Sequence, residues 1–532
     1  MALDDPSDPF AVTNQPAPRE TLDLWSGDAV LRSLTPDPGD LVSRYATALG
    51  DGERVACGQR LATGPGPELL RFDTAGRRID TVRYPEGYHR LLSLGLAAGY
   101  AALPWGERAP DGHTAHAAMV YLTSQVEPGV CCPMTMTYAA IPVLRRCEGP
   151  AAQLAERATA PLYDQRDIPV AQKHAATVGM AMTEKQGGSD VRANAAIAEA
   201  SDGAYHLHGH KWFCSAPMSD AFLTLAQRPE GLSCFLVPRR RPDGTLNAMH
   251  LMGLKNKLGN RANASAEIQY HGALAHLVGA PGQGIRTILE MVHHTRLDTA
   301  MAPAGLMRRA LIEAQYWTSH RRTFGKRLID HPLMANLMAD LTLEWLAATA
   351  IAFRVARAFD DPDQTAFARL AVALAKYLNN KRCPLVALEA MEALGGMGYV
   401  EDTPMPWLYR EAPLNAIWEG SGNIICLDVL RTIAKSPSAL EALWTELADV
   451  AGRHDAYDAA LEALGKDLKL AQDADARHLT ERMATLLQAA LLLKSHPDAG
   501  AAFARTRLGH EWGHTLGTLP ADIDTGAITA LI

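Results

Sequence analysis

Apolar residues recur at three- and four-residue spacing over most of the first third of the chain. This spacing places them on one face of a helix and therefore predicts amphipathic α-helices. The pattern begins at Asp40, breaks at the glycine–proline run 64–67 and returns at Tyr88. Six prolines precede it, which predicts an extended arm lying on another surface, with a disordered leader as the alternative. We expect the arm at residues 1–40 and a helical domain at 41–177.

Between about residues 178 and 278 the pattern changes to short runs of alternating apolar and polar residues. Turn signals such as Asp243-Gly244 and His271-Gly272 separate these runs. Short strands with regular turns predict a small antiparallel barrel or sandwich, which we place at residues 178–283.

Helical spacing returns at Gly284 and holds to the end of the chain. Three long amphipathic segments, 285–322, 332–359 and 365–394, predict a bundle of antiparallel helices. We expect this bundle at residues 284–436, followed by a helical appendix at 437–532. The fold class is therefore α+β, with helices before and after one β domain.

Composition narrows the class of protein. Hydrophobic residues make up 48% and charged residues 21%, as in soluble enzymes, and the net charge of -8 argues against a general nucleic-acid-binding surface. The eight cysteines form no CxxC pair, which predicts reduced thiols, no metal site and a cytoplasmic location. We expect neither a signal peptide, because the first residues are acidic and proline-rich, nor a membrane span, because no apolar run reaches ~18 residues.

Residues 180–190, Met-Ala-Met-Thr-Glu-Lys-Gln-Gly-Gly-Ser-Asp, hold the first candidate chemistry. Paired glycines let the backbone approach a ligand closely, and Ser, Thr and free N–H groups can bind an anion or a polar ring edge. The alternative is an ordinary turn between two elements. Two later stretches, 209–215 and 415–423, favour the binding site, because they add aromatic, carboxylate and glycine residues.

Four motifs in this order resemble those of the acyl-CoA dehydrogenase flavoprotein family. Residues 182–190 are similar to its Met-Thr-Glu-x-x-x-Gly-Ser-Asp motif, and Arg-Arg-Thr-Phe-Gly at 321–325 to its Arg-x-x-Phe-Gly element. Residues 392–399 resemble its Gly-Gly turn. Trp-Glu-Gly-Ser at 418–421 resembles the segment that holds the catalytic carboxylate. The resemblance implies an N-terminal helical domain, a middle antiparallel β-barrel and a C-terminal helical bundle.

Further stretches resemble the AidB-type subgroup, which is similar to isovaleryl-CoA dehydrogenase and belongs to the alkylation response. They are residues 182–190, 209–215, 257–265 and 417–431, together with the arm and the appendix. This resemblance implies an FAD-binding homotetramer built as a dimer of dimers.

The resemblance also assigns residues to the FAD. The positions matched to cofactor contacts are Met182, Thr183, Gly188, Ser189, Trp212, Phe213, Ser215, Arg321, Thr323, Phe324, Glu392, Gly395, Gly396, Ile417, Trp418, Gly420, Ser421 and Asn423. Those of 321–324 and the Gly395-Gly396 turn are expected to reach the FAD of a neighbouring subunit. Two aromatic residues stand together at Trp212 and Phe213, so which ring faces the flavin stays open. Solvated helix faces and plain turns are the alternatives for these positions.

Glu419 is the predicted catalytic base, with Arg296 beside it. Dehydrogenation of an acyl-CoA needs a base that takes the proton α to the thioester carbonyl while a hydride leaves the β carbon. A carboxylate next to an aromatic residue and a glycine can be desolvated, which raises its pKa toward neutrality. The alternative for Glu419 is a helix-cap or surface carboxylate.

Two classes of function stay open, with a third that is weaker. The first is an FAD-dependent acyl-CoA dehydrogenase acting on an acyl-CoA, such as short branched isovaleryl-CoA. The second is a flavin-containing protein that binds double-stranded DNA in the alkylation-damage response, and the third is a flavin-dependent oxygenase or nitroso-forming enzyme. Residues 441–532 carry eight Lys and Arg against fourteen Asp and Glu, so the appendix is a poor phosphate binder. Arg431 and Lys435, just before the appendix, and the run 239–241 are the remaining basic residues that could form a local patch, and a solvated charge run is the alternative.

Overall fold

The computed structural model describes residues 10–37, 40–106, 111–201, 203–470, 472–509 and 511–532. The first nine residues of the predicted arm, and residues 38 and 39, lie outside the described residues. No helix in the described ranges is long and apolar enough to cross a membrane. The predicted fold class is confirmed: helical regions flank a central, mostly antiparallel sheet.

The N-terminal region is mainly helical. Its helices are α1 (Ala29–Leu34), α2 (Leu41–Leu49), α3 (Gly52–Thr63), α4 (Glu86–Ala97), α5 (Gly112–Ser124), α6 (Cys131–Leu144) and α7 (Pro150–Ala158). Every residue of α5 is buried, so this helix forms the middle of the region. Between α3 and α4 lies an antiparallel hairpin of β1 (Glu68–Phe72) and β2 (Arg78–Arg83), which the sequence pattern did not predict.

The central sheet has seven strands. They are β3 (Val178–Ala181), β4 (Ile197–Ser201), β5 (Ala204–Ser215), β6 (Ala221–Ala226), β7 (Ser233–Pro238), β8 (Met249–Leu254) and β9 (Ser265–Val278). The order is β3-β6-β7-β9-β5-β4, with β8 also paired to β9, and only β3–β6 is parallel among these pairs. Backbone hydrogen bonds of 2.9 and 2.7 Å join Gln227, after β6, to Ala198 and Ala196, so the sheet curls toward closure.

The C-terminal bundle matches the predicted helical segments closely. Three long helices, α8 (Gly284–His320), α9 (Pro332–Asp360) and α10 (Thr365–Ala393), are followed by α11 (Met405–Glu411) and α12 (Gly422–Lys435). A two-stranded hairpin of β10 (Arg322–Thr323) and β11 (Lys326–Arg327) joins α8 to α9. The described part of the arm lies against the end of α8, where the Asn14 side chain donates to the Arg322 carbonyl at 2.8 Å.

The appendix continues the helical structure and packs on the outside of the bundle. Its helices are α13 (Pro437–Ala448), α14 (Asp455–Asp467), α15 (Ala476–Ser495), α16 (Pro497–Phe503) and α17 (Thr525–Thr529). Arg507 inserts between the buried carboxylates of Asp340 and Glu344 on α9. The Trp512 indole and the Gly517 amide also donate to Asp340, at 3.1 and 2.7 Å. This buried network fixes the appendix to α9.

Candidate active site

A cavity of about 460 Å³ opens where the β sheet meets the helices of both flanking regions. The start of the sheet, α5, α6, α8 and the loop before α12 form its wall. Twelve residues predicted from the sequence line it: Met182, Thr183, Gly188, Ser189, Phe213, Ser215, Arg296, Ile417, Trp418, Glu419, Gly420 and Ser421. The fold therefore brings together stretches that are up to 240 positions apart.

Glu419 places its carboxyl group at the wall of this cavity. The Thr295 hydroxyl of α8 donates to Oε2 at 2.7 Å, while Oε1 has no hydrogen bond to the described chain. Burial raises the pKa of Glu419, and the Thr295 hydrogen bond and the charges of Lys376 and Arg296 oppose that rise. A carboxylate with one free oxygen and a raised pKa is suited to accept a proton.

Two cations hold the loop that carries Glu419. Arg296 donates through Nε to the Glu419 carbonyl at 3.2 Å, and its Nη1 pairs with Asp428 at 2.6 Å. Lys376 of α10 donates to the carbonyls of Gly420 at 2.7 Å and Asn415 at 3.1 Å. Arg296 thus contacts the backbone of the predicted base, as expected of a neighbour. Thr295 and Lys376 were not predicted, because both lie inside long helices with no local signal.

The stretch around Thr183 forms the opposite wall. Its shape depends on a buried ion pair: Lys211 Nζ lies 2.7 Å from Glu184 Oε1, and Glu184 also accepts the amides of Ala195 and Ala196 at 2.7 and 3.2 Å. The motif glutamate is therefore a structural residue that anchors the loop. An added Cβ at Gly188 would lie 2.5 Å from the Thr183 hydroxyl, so this close approach requires glycine.

Phe213, not Trp212, lines the cavity. Its side chain is 53% exposed toward the open volume. Lys255 Nζ lies 3.2 Å from the centre of the Trp212 ring, and the Trp212 amide donates to Thr183 O at 2.8 Å. Both residues lie at a bulge of β5, between the paired positions Lys211 and Cys214, and Lys255 Nζ also lies 4.9 Å from the centre of the Phe213 ring. Phe213 is thus the ring that borders the cavity, and which of the two rings faces the flavin stays a prediction.

The remaining predicted cofactor residues lie away from the cavity wall. They are Trp212, Arg321, Thr323, Phe324, Glu392, Gly395, Gly396 and Asn423. Phe324 is 96% exposed, and Gly395 and Gly396 are exposed as well. Asn423 accepts a hydrogen bond of 2.9 Å from Arg477 of the appendix. One chain alone does not bring these residues to the site, and their roles stay predictions.

A buried polar network borders the inner end of the cavity. Asp298 of α8, one turn beyond Thr295, lies 2.7 Å from His116 Nε2 and also accepts the Thr135 hydroxyl. His116 Nδ1 faces the carbonyl of Tyr100 at 2.6 Å, so Nδ1 carries a hydrogen. No sequence motif indicated the pair of His116 and Asp298.

The basic run 239–241 is an internal ion-pair cluster. Arg239 is 2% exposed, and Arg239 and Arg240 both pair with Asp167, at 3.1 and 2.7 Å. The suggestion of a solvated charge run was therefore wrong for Arg239 and Arg240. Arg431 and Lys435, the other basic residues that the sequence suggested, are exposed, and DNA binding stays a prediction.

Comparisons with known proteins agree with this architecture. The acyl-CoA dehydrogenase middle-domain model matches residues 179–273 and the C-terminal-domain model matches 282–434. The model of the adaptive response protein AidB N-terminal domain matches 14–165. The chain belongs to the acyl-CoA dehydrogenase family.

Individual relatives show which members of the acyl-CoA dehydrogenase family the chain resembles. The putative acyl-CoA dehydrogenase AidB of Escherichia coli K12 is 42% identical, over 94% of this chain and 95% of its own length. Acyl-CoA dehydrogenase family member 11 of Caenorhabditis elegans is 29% identical over 89% of this chain and 84% of its own length. The crystal structure of C. elegans ACDH-11 in complex with C11-CoA has a TM-score of 0.84 and 27% identity, covering 97% of this chain and 95% of that one. The resemblance to AidB-type members is thereby confirmed.

Proposed function

We propose that the protein is an FAD-dependent dehydrogenase that introduces an α,β double bond into an acyl-CoA. The observation that carries this proposal is the Glu419 carboxyl group, with its free Oε1, facing the cavity between Thr295 and the 182–189 wall. Family membership supports the reaction class. The C. elegans relative solved with C11-CoA supports a CoA thioester as substrate.

The residues of the cavity fit a flavin. Within the described chain, the hydroxyl groups of Thr183, Ser189 and Ser421 line the cavity and make no hydrogen bond. Hydroxyl donors of this kind suit the polar edge of an isoalloxazine ring, and Phe213 and Met182 offer apolar surface to its face. When bound, FAD supplies a two-electron acceptor for the β hydride.

The protein's own part in the reaction is to hold the substrate and accept a proton. Glu419 Oε1 takes the proton from the carbon α to the thioester carbonyl. Thr295 fixes the carboxyl by its bond to Oε2, and Arg296 fixes the backbone of Glu419. The apolar lining residues Val120, Met136 and Ile288 exclude water from the site.

We further propose a homotetramer arranged as a dimer of dimers, in which neighbouring chains complete each FAD site. Arg321, Thr323, Phe324 and the Gly395-Gly396 turn lie at the surface away from the cavity, as residues that serve another chain's cofactor would. Light scattering of the purified protein gives the mass. A monomer that retains FAD would refute this arrangement.

The test of the reaction is anaerobic mixing of the FAD-loaded protein with a panel of acyl-CoAs that includes isovaleryl-CoA and C11-CoA. Bleaching of the flavin absorbance by at least one thioester is expected. Glu419→Gln should abolish bleaching while FAD stays bound, and Glu462→Gln, at an exposed pair with Lys466, is the matched control. Bleaching by no thioester would overturn the proposed function, and bleaching that survives in Glu419→Gln would remove Glu419 as the base.

A further inference from the structure

Lys376 is a buried cation that makes no hydrogen bond to a carboxylate of the described residues. It lies on α10 and is 2% exposed. Its two acceptors are neutral carbonyl oxygens, those of Gly420 at 2.7 Å and Asn415 at 3.1 Å. Burying an ammonium group is unfavourable unless it is paired, and such groups cluster at functional sites. An apolar side chain would fill this position without the free-energy cost of desolvating a charge. We therefore expect the lysine to have a role in holding the loop.

The loop between these two carbonyls has a backbone that needs support. Glu419 has a φ of 58° and Gly420 a φ of 101°, both in the left-handed region. A non-glycine residue in that region is strained and persists only where its surroundings hold it. Lys376 bonds the loop at residues 415 and 420, while Arg296 bonds the carbonyl of Glu419 between them. The direction of the Glu419 side chain therefore depends on these two cations.

The charge of Lys376 also acts on Glu419. Arg296, the other nearby cation, has its own carboxylate in Asp428, which Arg369 shares at 2.8 Å. The charged groups that act on Lys376 are Arg296 from α8, Glu419 from the loop and Lys381 on its own helix. Among these three, Glu419 is the only anion, so the two groups stabilise each other's charged forms.

We propose that Lys376 is the positioning residue of Glu419: it holds segment 415–420 in its strained conformation and supplies the positive charge that favours the ionised carboxylate. This inference rests on the proposed role of Glu419 as the base. Lys376 does not contact the substrate in this arrangement, because its Nζ is directed at the loop backbone.

The holding role and the charge role of Lys376 respond differently to pH. Burial, with Arg296 and Lys381 adding to it, lowers the pKa of Lys376 to about 7, and Glu419 opposes that shift. A neutral amine still has two N–H donors for the two carbonyls, so the loop stays held when Lys376 loses its proton. The carboxylate then loses a favourable charge, and the pKa of Glu419 rises.

Infrared spectroscopy of the FAD-loaded protein tests this without any turnover. The C=O stretch of the protonated Glu419 carboxyl is assigned by its absence in Glu419→Gln and is followed against pH. Lys376→Gln, which keeps amide donors but no charge, and Lys376→Met, which keeps neither, should both raise the Glu419 pKa by about one unit or more. Lys466→Gln, an exposed lysine of the appendix, should leave it unchanged.

An unchanged Glu419 titration in Lys376→Gln would overturn the charge role. Equal loop order in Lys376→Met and the wild type, measured by hydrogen exchange of the 415–420 amides, would overturn the holding role. If Glu419→Gln still bleaches the flavin with an acyl-CoA while the infrared shifts appear, the proposed function of Glu419 fails and the coupling to Lys376 stands. The two failures are thus distinguishable.

Discussion

Replacing Thr295 with valine removes one hydroxyl from the site and almost nothing else. Thr295 is 1% exposed, and its Oγ1 donates to Glu419 Oε2 at 2.7 Å and lies 3.1 Å from the Val292 carbonyl oxygen. Valine has the same shape, so the packing of α8 is retained. Serine at this position keeps the hydroxyl and loses the methyl group, which makes it the matched control.

The expected effect follows from the strength of that hydrogen bond. A hydrogen bond to a charged group contributes roughly 1.5–3 kcal/mol, and one pKa unit corresponds to about 1.4 kcal/mol. Burial already raises the pKa of Glu419, and the Thr295 bond opposes this. Thr295→Val should therefore raise the pKa further, by about 1–2 units. Below the wild-type pKa the ionised fraction, and with it the rate, should fall by about 10- to 100-fold.

The assay is the pH dependence of anaerobic flavin bleaching by the most reactive acyl-CoA of the panel. In Thr295→Val the acid limb of kcat/KM should move to higher pH, while the rate on the plateau stays close to that of the wild type. Thr295→Ser should keep the wild-type limb. An acid limb in Thr295→Val that coincides with the wild type, together with an inactive Glu419→Gln, would refute the reasoning that this hydroxyl sets the pKa of the base.

Two further changes test the assembly and the stability of the chain. Arg507→Met takes the ion-pair partner from the buried Asp340 carboxylate, while Glu344 keeps Arg382 at 2.6 Å; the change should lower the free energy of unfolding in urea by about 3–5 kcal/mol. Arg505→Met, two residues earlier with solvent-exposed partners, should unfold near the wild-type urea concentration; equal midpoints for both would contradict the network. Gly396→Ala should fold normally, since no described atom lies within 4 Å of the added Cβ. It should nevertheless lose FAD, and full FAD content in the folded variant would exclude a cofactor contact at this turn.

The long helices could be predicted because their apolar positions repeat over many turns. The predicted segments 285–322, 332–359 and 365–394 differ from α8, α9 and α10 by two residues or fewer at each end. The β1–β2 hairpin could not, because its strands are short, half-exposed and rich in arginine. Its turn depends on local hydrogen bonds, such as those that the amides of Ala75 and Arg77 donate to the Asp73 carboxylate at 2.9 and 2.8 Å.

The site, too, contains residues that the sequence could predict and residues that it could not. Glu419 and residues 182–190 could be predicted because they belong to short motifs of consecutive residues. Thr295 and Lys376 belong to none, since each is one polar residue in a long helix. Packing across more than 40 positions brings Thr295 to the Glu419 carboxyl and Lys376 to the backbone of the same loop. Glu184 shows that membership of a cofactor motif does not make a residue a cofactor contact. Its side chain pairs with Lys211 and anchors the loop.

Helix α15 of the appendix contacts two helices of the bundle, α10 and α12. Gln488 of α15 donates to Asn379 on α10 at 3.2 Å, three residues beyond Lys376, and Arg477 bonds Asn423 in the first turn of α12 at 2.9 Å. The appendix is thus the outer support of the two helices, α10 and α12, that hold the loop carrying Glu419. A chain shortened at residue 436 would expose the back of those helices, so the position of Glu419 depends on a region that does not itself line the cavity.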